Sequence, residues 1–127
     1  MRHVGTKLNT SRETMKILQE AIAIDELKKM AADTFGDLVK AVVDVARQVV
    51  AVDAELHSDL EALLLEDGSK QKDLWGINFY PAIKGNDFIE FDSMINMRPS
   101  CANPSRSVDD AATRKKIVEI VNRWIKR

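Results

Sequence analysis

The chain has 127 residues, of which 45% are hydrophobic and 31% are charged, and its formal net charge is −1. This length suits one domain that buries a core without metals or disulfides. The near-neutral charge excludes a global field that would attract nucleic acid or anionic membranes. The single cysteine, Cys101, cannot form an internal disulfide, and there is no Cys/His cluster. We therefore predict a reducing, cytoplasmic location and no zinc site.

The N-terminal stretch differs from the rest of the chain. Residues 1–14 are polar and net basic and lack the apolar segment of a signal peptide. Nothing later in the sequence reaches the roughly 18 apolar residues of a membrane span, so no membrane association is predicted. Because patterned sequence begins directly after Met15, we expect 1–14 to be a disordered extension or an expression remnant. Residues 15–127 would then form a single domain.

The first regular elements are a short strand within residues 16–20 and a helix over 24–35. In the helical stretch, apolar residues recur at helical spacing. Asp25 and Glu26 occupy the first turn, where the helix dipole favours acids, and Gly36 supplies a C-terminal stop.

The stretch 38–56 has two interpretations. Five apolar residues fall on one face of a helix at heptad-like spacing, namely Leu38, Val42, Val45, Val49 and Val52. The stretch also contains seven valines, which lose side-chain freedom in a helix and pack well in a sheet. We therefore favour a hairpin that turns at residues 46–48, although no typical hairpin dipeptide is present. The buried face of its first strand would hold Val39, Ala41, Val43 and Val45.

A second helix is predicted over 58–66, with a capping box formed by Ser58 and Glu61 and a stop at Gly68. A strand follows over 74–80, ended by Pro81, with Trp75 and Phe79 on the same face as Ile77.

In residues 88–98 apolar and polar residues alternate more clearly than anywhere else in the chain, which predicts another strand. Its inward residues would be Ile89, Phe91, Ser93, Ile95 and Met97, and its outward residues Glu90, Asp92, Met94, Asn96 and Arg98. A loop over 99–107 then leads to a last helix, which Ser107 or Asp110 can cap.

The order of elements is strand, helix, hairpin, helix, hairpin, helix. This order predicts an α+β fold with a mostly antiparallel sheet of about four to five strands and three helices. With the helices on one face, the polar face of the sheet would be left to solvent or to a partner.

Four segments of the chain resemble a family of small prokaryotic proteins known only as a domain of unknown function. The segments are 55–57 (ELH), 64–71 (LLEDGSKQ), 73–76 (DLWG) and 95–100 (INMRPS). The resemblance runs from about Met15 to the C-terminus and implies a single domain, but it implies no activity.

The first candidate site is the outward face of the 88–98 strand together with the following loop. Its candidate ligand-binding residues are Glu90, Asp92, Asn96, Arg98, Ser100, Asn103, Ser105 and Arg106, with Asn78 and Tyr80 alongside. Two guanidinium groups near a strand end suit a carboxylate or phosphate, because each offers a planar fork to two oxygens. The alternative is a solvated sheet face with a turn rich in side-chain to main-chain hydrogen bonds.

His57 is a further candidate, because Glu61 lies four residues later and could share its helix face. The pair could serve as metal ligands or as a base with its orienting acid, yet a catalytic metal needs about three protein ligands. His3 is the only other histidine, so an ordinary histidine at a helix start is the simpler interpretation. Cys101, near Arg98 and Arg106, could act as a nucleophile only with a base that the fold brings close.

The last helix carries a basic set, Arg114, Lys115, Lys116, Arg123, Lys126 and Arg127. These cations fit a solvated face that complements the helix C-terminus better than a nucleic-acid site, because no RNA-binding signature accompanies them. No Gly-rich phosphate loop, G-x-S-x-G or H-E-x-x-H motif is present, so no cofactor or metal is predicted.

Two hypotheses from different classes follow. The first is a non-enzymatic binding or interaction module that recognises an anionic group through Arg98 and Arg106, with a small anionic ligand or a protein as its partner. Self-association into a homo-oligomer through the sheet edge or the polar face is one form of that interaction. The second is a small acid/base enzyme that uses His57 with nearby carboxylates or Cys101. The sequence contains no nucleophile, base and orienting group at a spacing typical of a catalytic site. This favours the binding module over the enzyme.

Overall fold

A computed structural model of the chain describes residues 14–127, so the predicted extension lies outside the described residues except for Thr14. The described part contains a five-stranded antiparallel sheet of order β1-β4-β3-β5-β6 and a separate parallel pair, β2 and β7. The strands are β1 Lys16–Ile17, β2 Ile22–Ala23, β3 Val39–Asp44, β4 Val49–Val52, β5 Leu74–Phe79, β6 Ile89–Glu90 and β7 Ile125–Lys126. The helices are α1 Ile24–Asp33, α2 His57–Glu66 and α3 Ala111–Trp124. The predicted α+β class is confirmed.

The stretch 38–56 forms the predicted hairpin, since β3 pairs with β4. A side chain makes the turn that no dipeptide signalled: Asp44 Oδ1 accepts the main-chain N–H groups of Ala46, at 2.9 Å, and Arg47, at 2.8 Å. Gln48 then adopts a left-handed conformation with φ 61°. The apolar residues at helix-like spacing do not share one face, since Val42 and Val49 belong to one core and Val45 and Val52 to the other.

Helices cover both faces of the sheet, not one face as expected. On one side α1 and α3 pack against Val39, Ala41 and Val43 of β3, in a core that includes Leu27 and Ile120.

On the other side, Leu60 and Leu64 of α2 pack in a second core with Val42, Ala51 and Leu74. The expectation was wrong because only one face of the hairpin was assigned to the core, whereas Val42 and Ala51 are buried on the other.

The helix ends agree only in part with the predicted caps. Asp110 caps α3 as predicted, accepting the N–H of Thr113 at 2.9 Å. The predicted capping box at Ser58 is wrong, because α2 begins at His57 and its N-terminus has no side-chain cap.

The predicted strand over 88–98 is also wrong beyond Glu90. The chain leaves β6 at Glu90 and continues through two short 3₁₀ turns, Met94–Asn96 and Pro99–Cys101. The alternation is broken as well, since Asn96, expected to face outward, is fully buried, while Met97, expected inward, is 46% exposed.

The Asn96 side chain replaces the missing strand. Its Oδ1 accepts the N–H of Gly76 at 2.8 Å and its Nδ2 donates to the Gly76 carbonyl at 3.0 Å. The same Nδ2 donates to the Arg106 carbonyl at 2.9 Å. One amide therefore satisfies both main-chain groups of Gly76 on β5 and ties the loop to the sheet.

Gly76 has to lack a side chain for this packing. A Cβ atom built there would lie 2.5 Å from Ser93 Cβ and 3.2 Å from Ile95 Cγ1. The loop after β6 thus rests directly on the main chain of β5.

Replacement of Asn96 by alanine should destabilise the fold by about 3 kcal/mol or more, because it leaves both polar groups of Gly76 buried and unpaired. Urea denaturation measures this change in the free energy of unfolding. Asn86→Ala, at an exposed position, is the matched control and should change it by less than about 0.5 kcal/mol. A loss for Asn96→Ala below about 1 kcal/mol would show that water replaces the amide.

Candidate functional site

An open cleft of about 540 Å³ lies on the α2 side of the sheet, beyond the first turn of α2. We call it the α2 cleft. Its lining residues are Phe35, Lys40, Glu55, Leu56, His57, Ser58, Asn78, Asp92, Ser93, Met94, Ile95 and Arg106. The first turn of α2 forms one wall, and the loop after β6 forms the opposite wall. The volume is in the range of small-molecule sites, about 300–1,000 Å³.

The floor of the α2 cleft comes from the sheet. Lys40 of β3 and Asn78 of β5 are directly paired across the ladder, and the alternation of each strand places them on the face that α2 partly covers. Asn78 is only 5% exposed. Its Nδ2 donates to Glu90 Oε1 at 2.9 Å and to the Asp92 carbonyl at 3.2 Å. Asn78 Oδ1 is buried and has no hydrogen-bond partner within the described residues.

Lys40 supplies a cation at the edge of this floor. Its ammonium lies 5.2 Å from the centroid of the Phe35 ring, a cation–π distance. No ion pair with Lys40 occurs among residues 14–127. Within that part of the chain, no direct ion pair neutralises the Lys40 ammonium.

His57 is held at the start of α2. Its Nε2 lies 2.8 Å from the Ile77 carbonyl oxygen. Because a carbonyl only accepts, Nε2 carries the proton, and Nδ1 is the acceptor atom of the neutral ring. Burial lowers the pKa of His57 and Lys40 lowers it further, while the Ile77 hydrogen bond, the Asn78 amide and Asp92 act in the opposite direction. His57 is therefore a neutral side chain near pH 7 that joins α2 to β5.

Arg106 lies on the wall opposite His57. Its Nε donates to Asp92 Oδ1 at 2.7 Å, and both side chains are about half exposed, at 53% and 42%. An ion pair this open to water contributes at most about 1 kcal/mol. An incoming anion can therefore share the Arg106 guanidinium at little cost.

The remaining predicted binding residues divide between the cleft margin and the loop framework. Glu90 lies behind the cleft floor, where it accepts from Asn78 and from the Tyr80 hydroxyl at 3.2 Å. Arg98 is outside the cleft lining: its guanidinium donates to the carbonyls of Gln71 and Leu74 and stacks 4.5 Å over the Trp75 ring. The predicted arginine pair is therefore not brought together in the α2 cleft.

Asn103 organises the rest of the loop. Its Nδ2 donates to the carbonyls of Asn96, at 2.8 Å, and Ser107, at 2.7 Å, and its Oδ1 accepts the Asp109 N–H at 2.9 Å. Ser105 Oγ donates to the Asp109 carboxylate at 2.7 Å, and Ser100 is exposed in the Pro99–Cys101 turn. These side chains shape the loop and do not line the α2 cleft.

The fold brings His57 into the α2 cleft with Glu55 and Asp92, but it places the other catalytic and metal candidates elsewhere. Cys101 lines a different groove, with Trp75 and Asp109, and His57 is not among the residues of that groove. Glu61 accepts from the Gln71 side chain at 3.4 Å and is absent from the α2 cleft. Within the described residues, no group of three or more His, Cys, Asp or Glu side chains could hold a metal ion.

Sequence reasoning missed several cleft residues, namely Phe35, Lys40, Leu56 and Met94. One signal was available, because Met94 stood among the outward positions of an otherwise polar face. Phe35 fell at the end of the helix predicted over 24–35, and nothing in the sequence marked Leu56 as exposed.

The fold and the cleft define a small α+β domain with a ligand-sized opening between a helix start and a loop on one face of an antiparallel sheet. The chain belongs to the family described as Protein of unknown function (DUF5674), which matches residues 16–124. The predicted resemblance is confirmed. No curated protein and no solved structure matches the chain, and no helix in the described part is long and apolar enough to cross a membrane.

The buried histidine gives a prediction for the dependence of stability on pH. The pKa of His57 is lowered in the folded state from its ordinary value of 6.5, so the unfolded chain binds the proton more readily. The free energy of unfolding should therefore fall as the pH drops below about 6.5, until the lower folded pKa is passed. In His57→Gln, which keeps an N–H donor for Ile77, this component should disappear.

Urea denaturation at several pH values between about 5 and 8 measures the difference between the two proteins. His3 is present in both and cancels. Parallel stability curves for wild type and variant would contradict a lowered pKa.

Proposed function

We propose that this domain is a binding module that holds a small anionic molecule in the α2 cleft. The observation that carries the proposal is the convergence of Lys40, Arg106 and the first turn of α2 on one ligand-sized volume. The site keeps the anion-binding role predicted for Arg106 and replaces Arg98 by Lys40 as its partner.

The helix start supports an anionic ligand. The first N–H groups of an α-helix have no partner inside the helix, and the dipole places partial positive charge there. No side chain caps α2, and Leu56, His57 and Ser58 border the cleft. An anion seated here would meet these amides as well as the Lys40 ammonium.

The mixed charge of the lining adds selectivity. Glu55 and Asp92 also border the cleft, so an anion is favoured only where its charged group reaches Lys40 or Arg106 without meeting these carboxylates. We infer a preference for a compact charged group over an extended polyanion such as nucleic acid.

We favour binding over catalysis because of how the reactive groups are used. His57 Nε2 is engaged by the Ile77 carbonyl, and the nucleophile candidate Cys101 borders another groove. Ser58 and Ser93 also border the cleft, but among the described residues no hydrogen bond joins the His57 ring to a hydroxyl or thiol, the pairing that an acid/base hydrolase would need.

Titration with acetate and inorganic phosphate, followed by NMR chemical shifts or calorimetry, tests the proposal. The double variant Lys40→Ala with Arg106→Ala should weaken binding by about tenfold or more, since charge-assisted hydrogen bonds contribute about 1.5–3 kcal/mol each. Lys116→Ala, at an exposed position of α3, is the matched control and should leave binding unchanged. Equal affinity in the wild type and the double variant, with both folded by circular dichroism, would overturn the site.

A further inference from the structure

The mouth of the α2 cleft is apolar although its floor is polar. Phe35 is 43% exposed, Leu56 57% and Met94 65%, and all three border the cleft. We call these three side chains the apolar rim. Of the described large apolar side chains, Met94 and Leu56 are the two most exposed.

The apolar rim is a feature of the tertiary fold and not of one element. Phe35 follows α1, Leu56 precedes the first residue of α2, and Met94 opens a 3₁₀ turn after β6. Three separate segments therefore bring exposed apolar surface to one opening. Scattered exposed apolar residues are common, but their gathering around a concave site marks a binding surface.

Lys40 joins the two parts of the site. Its ammonium lies over the Phe35 ring, so an anionic group on Lys40 has apolar surface beside it. A purely inorganic anion would leave the rim in contact with water. A ligand with an apolar portion next to its charge would satisfy the ammonium and cover the rim at the same time.

The two cations of the cleft, Lys40 and Arg106, argue against a ligand that is apolar throughout. Such a group would bury Lys40 and Arg106 away from water with no partner for Lys40, which costs free energy. A partner that carries both a charge and an apolar body avoids that cost.

From this geometry we infer that the ligand of the α2 cleft is an amphipathic organic acid. Its carboxylate meets Lys40 and Arg106, and its hydrocarbon portion lies against Phe35, Leu56 and Met94. The inference rests on the proposed function and names the class of ligand.

The test is a series of straight-chain carboxylates, acetate, butyrate, hexanoate and octanoate, titrated below their critical micelle concentrations. Each methylene that leaves water on a half-exposed rim should tighten binding about twofold, and one that is fully buried about fourfold. Octanoate has about six more methylenes than acetate and should therefore bind at least about 60-fold more tightly.

Variants separate the apolar rim from the charged floor. The double variant Leu56→Ala with Met94→Ala brings no new polar group to the start of α2, and it should weaken octanoate binding at least about fivefold more than acetate binding. Leu65→Ala, at a position of α2 that is 41% exposed and outside the cleft lining, is the matched control and should change neither. Because all three positions are exposed, the variants should fold, and thermal denaturation checks that they do.

The outcomes distinguish the two proposals. If acetate binds through Lys40 and Arg106 but affinity does not rise with chain length, the ligand class is wrong and the anion site stands. If none of the carboxylates and no phosphate binds, both proposals fall. If replacing Leu56 and Met94 leaves the octanoate affinity unchanged, the role of the apolar rim is overturned. So would a concentration-dependent dimer, seen by sedimentation, that Met94→Ala dissociates, overturn it, because the rim would then be an interface between copies.

Discussion

The pairing of the Asn96 amide with Gly76 is the contact on which the site depends. If the segment after Glu90 had continued β6 as a strand beside β5, the face of the sheet at the α2 cleft would be flat. Instead, one side chain satisfies the Gly76 main chain, and the segment before it folds back over the sheet. Ser93 and Ile95 then rest against Gly76, while Asp92 and Met94 reach the cleft. This wall of the α2 cleft forms because the segment after Glu90 does not continue β6 as a strand.

A second constraint comes from the burial of β3 on both faces. Each face needs its own cover, which α1 and α3 provide on one side and α2 on the other. α2 has only ten residues, so it covers Val42 but leaves Lys40, further along the same face, uncovered by the helix. The start of α2, including His57, therefore borders the gap.

The hairpin and the helices followed from local patterns, whereas the site did not. Valine-rich sequence at 39–52 predicts strands because β-branched side chains favour them, and Asp110 predicts a cap for the same local reason. The alternation over 88–98 predicted a strand, but alternation reports only local periodicity. It does not show that Asn96 can replace a main-chain partner 20 residues away.

Of the residues predicted to form a binding site, His57, Asn78, Asp92 and Arg106 border the α2 cleft, and the others do not. The sequence showed that polar residues gather near the end of β6, but Lys40, Leu56 and Phe35 meet them only through sheet pairing and helix placement. Arg98 is a predicted binding residue that lies outside the lining of the α2 cleft. Its charge and loop position suited a ligand, yet its guanidinium stacks on Trp75 and donates to main-chain carbonyls, contacts that no spacing rule reveals.

The side chains that border β5 also affect how the domain behaves in a crowded solution. A strand edge with free N–H and C=O groups is a template on which another chain can add a strand and begin aggregation. Here Arg98 occupies the carbonyl of Leu74 and Asn96 occupies both groups of Gly76, so a foreign strand finds these groups already taken. Side chains cannot propagate pairing from molecule to molecule as a main chain can. The same replacement of a strand by side chains that opens the cleft thus blocks strand addition at these positions of β5.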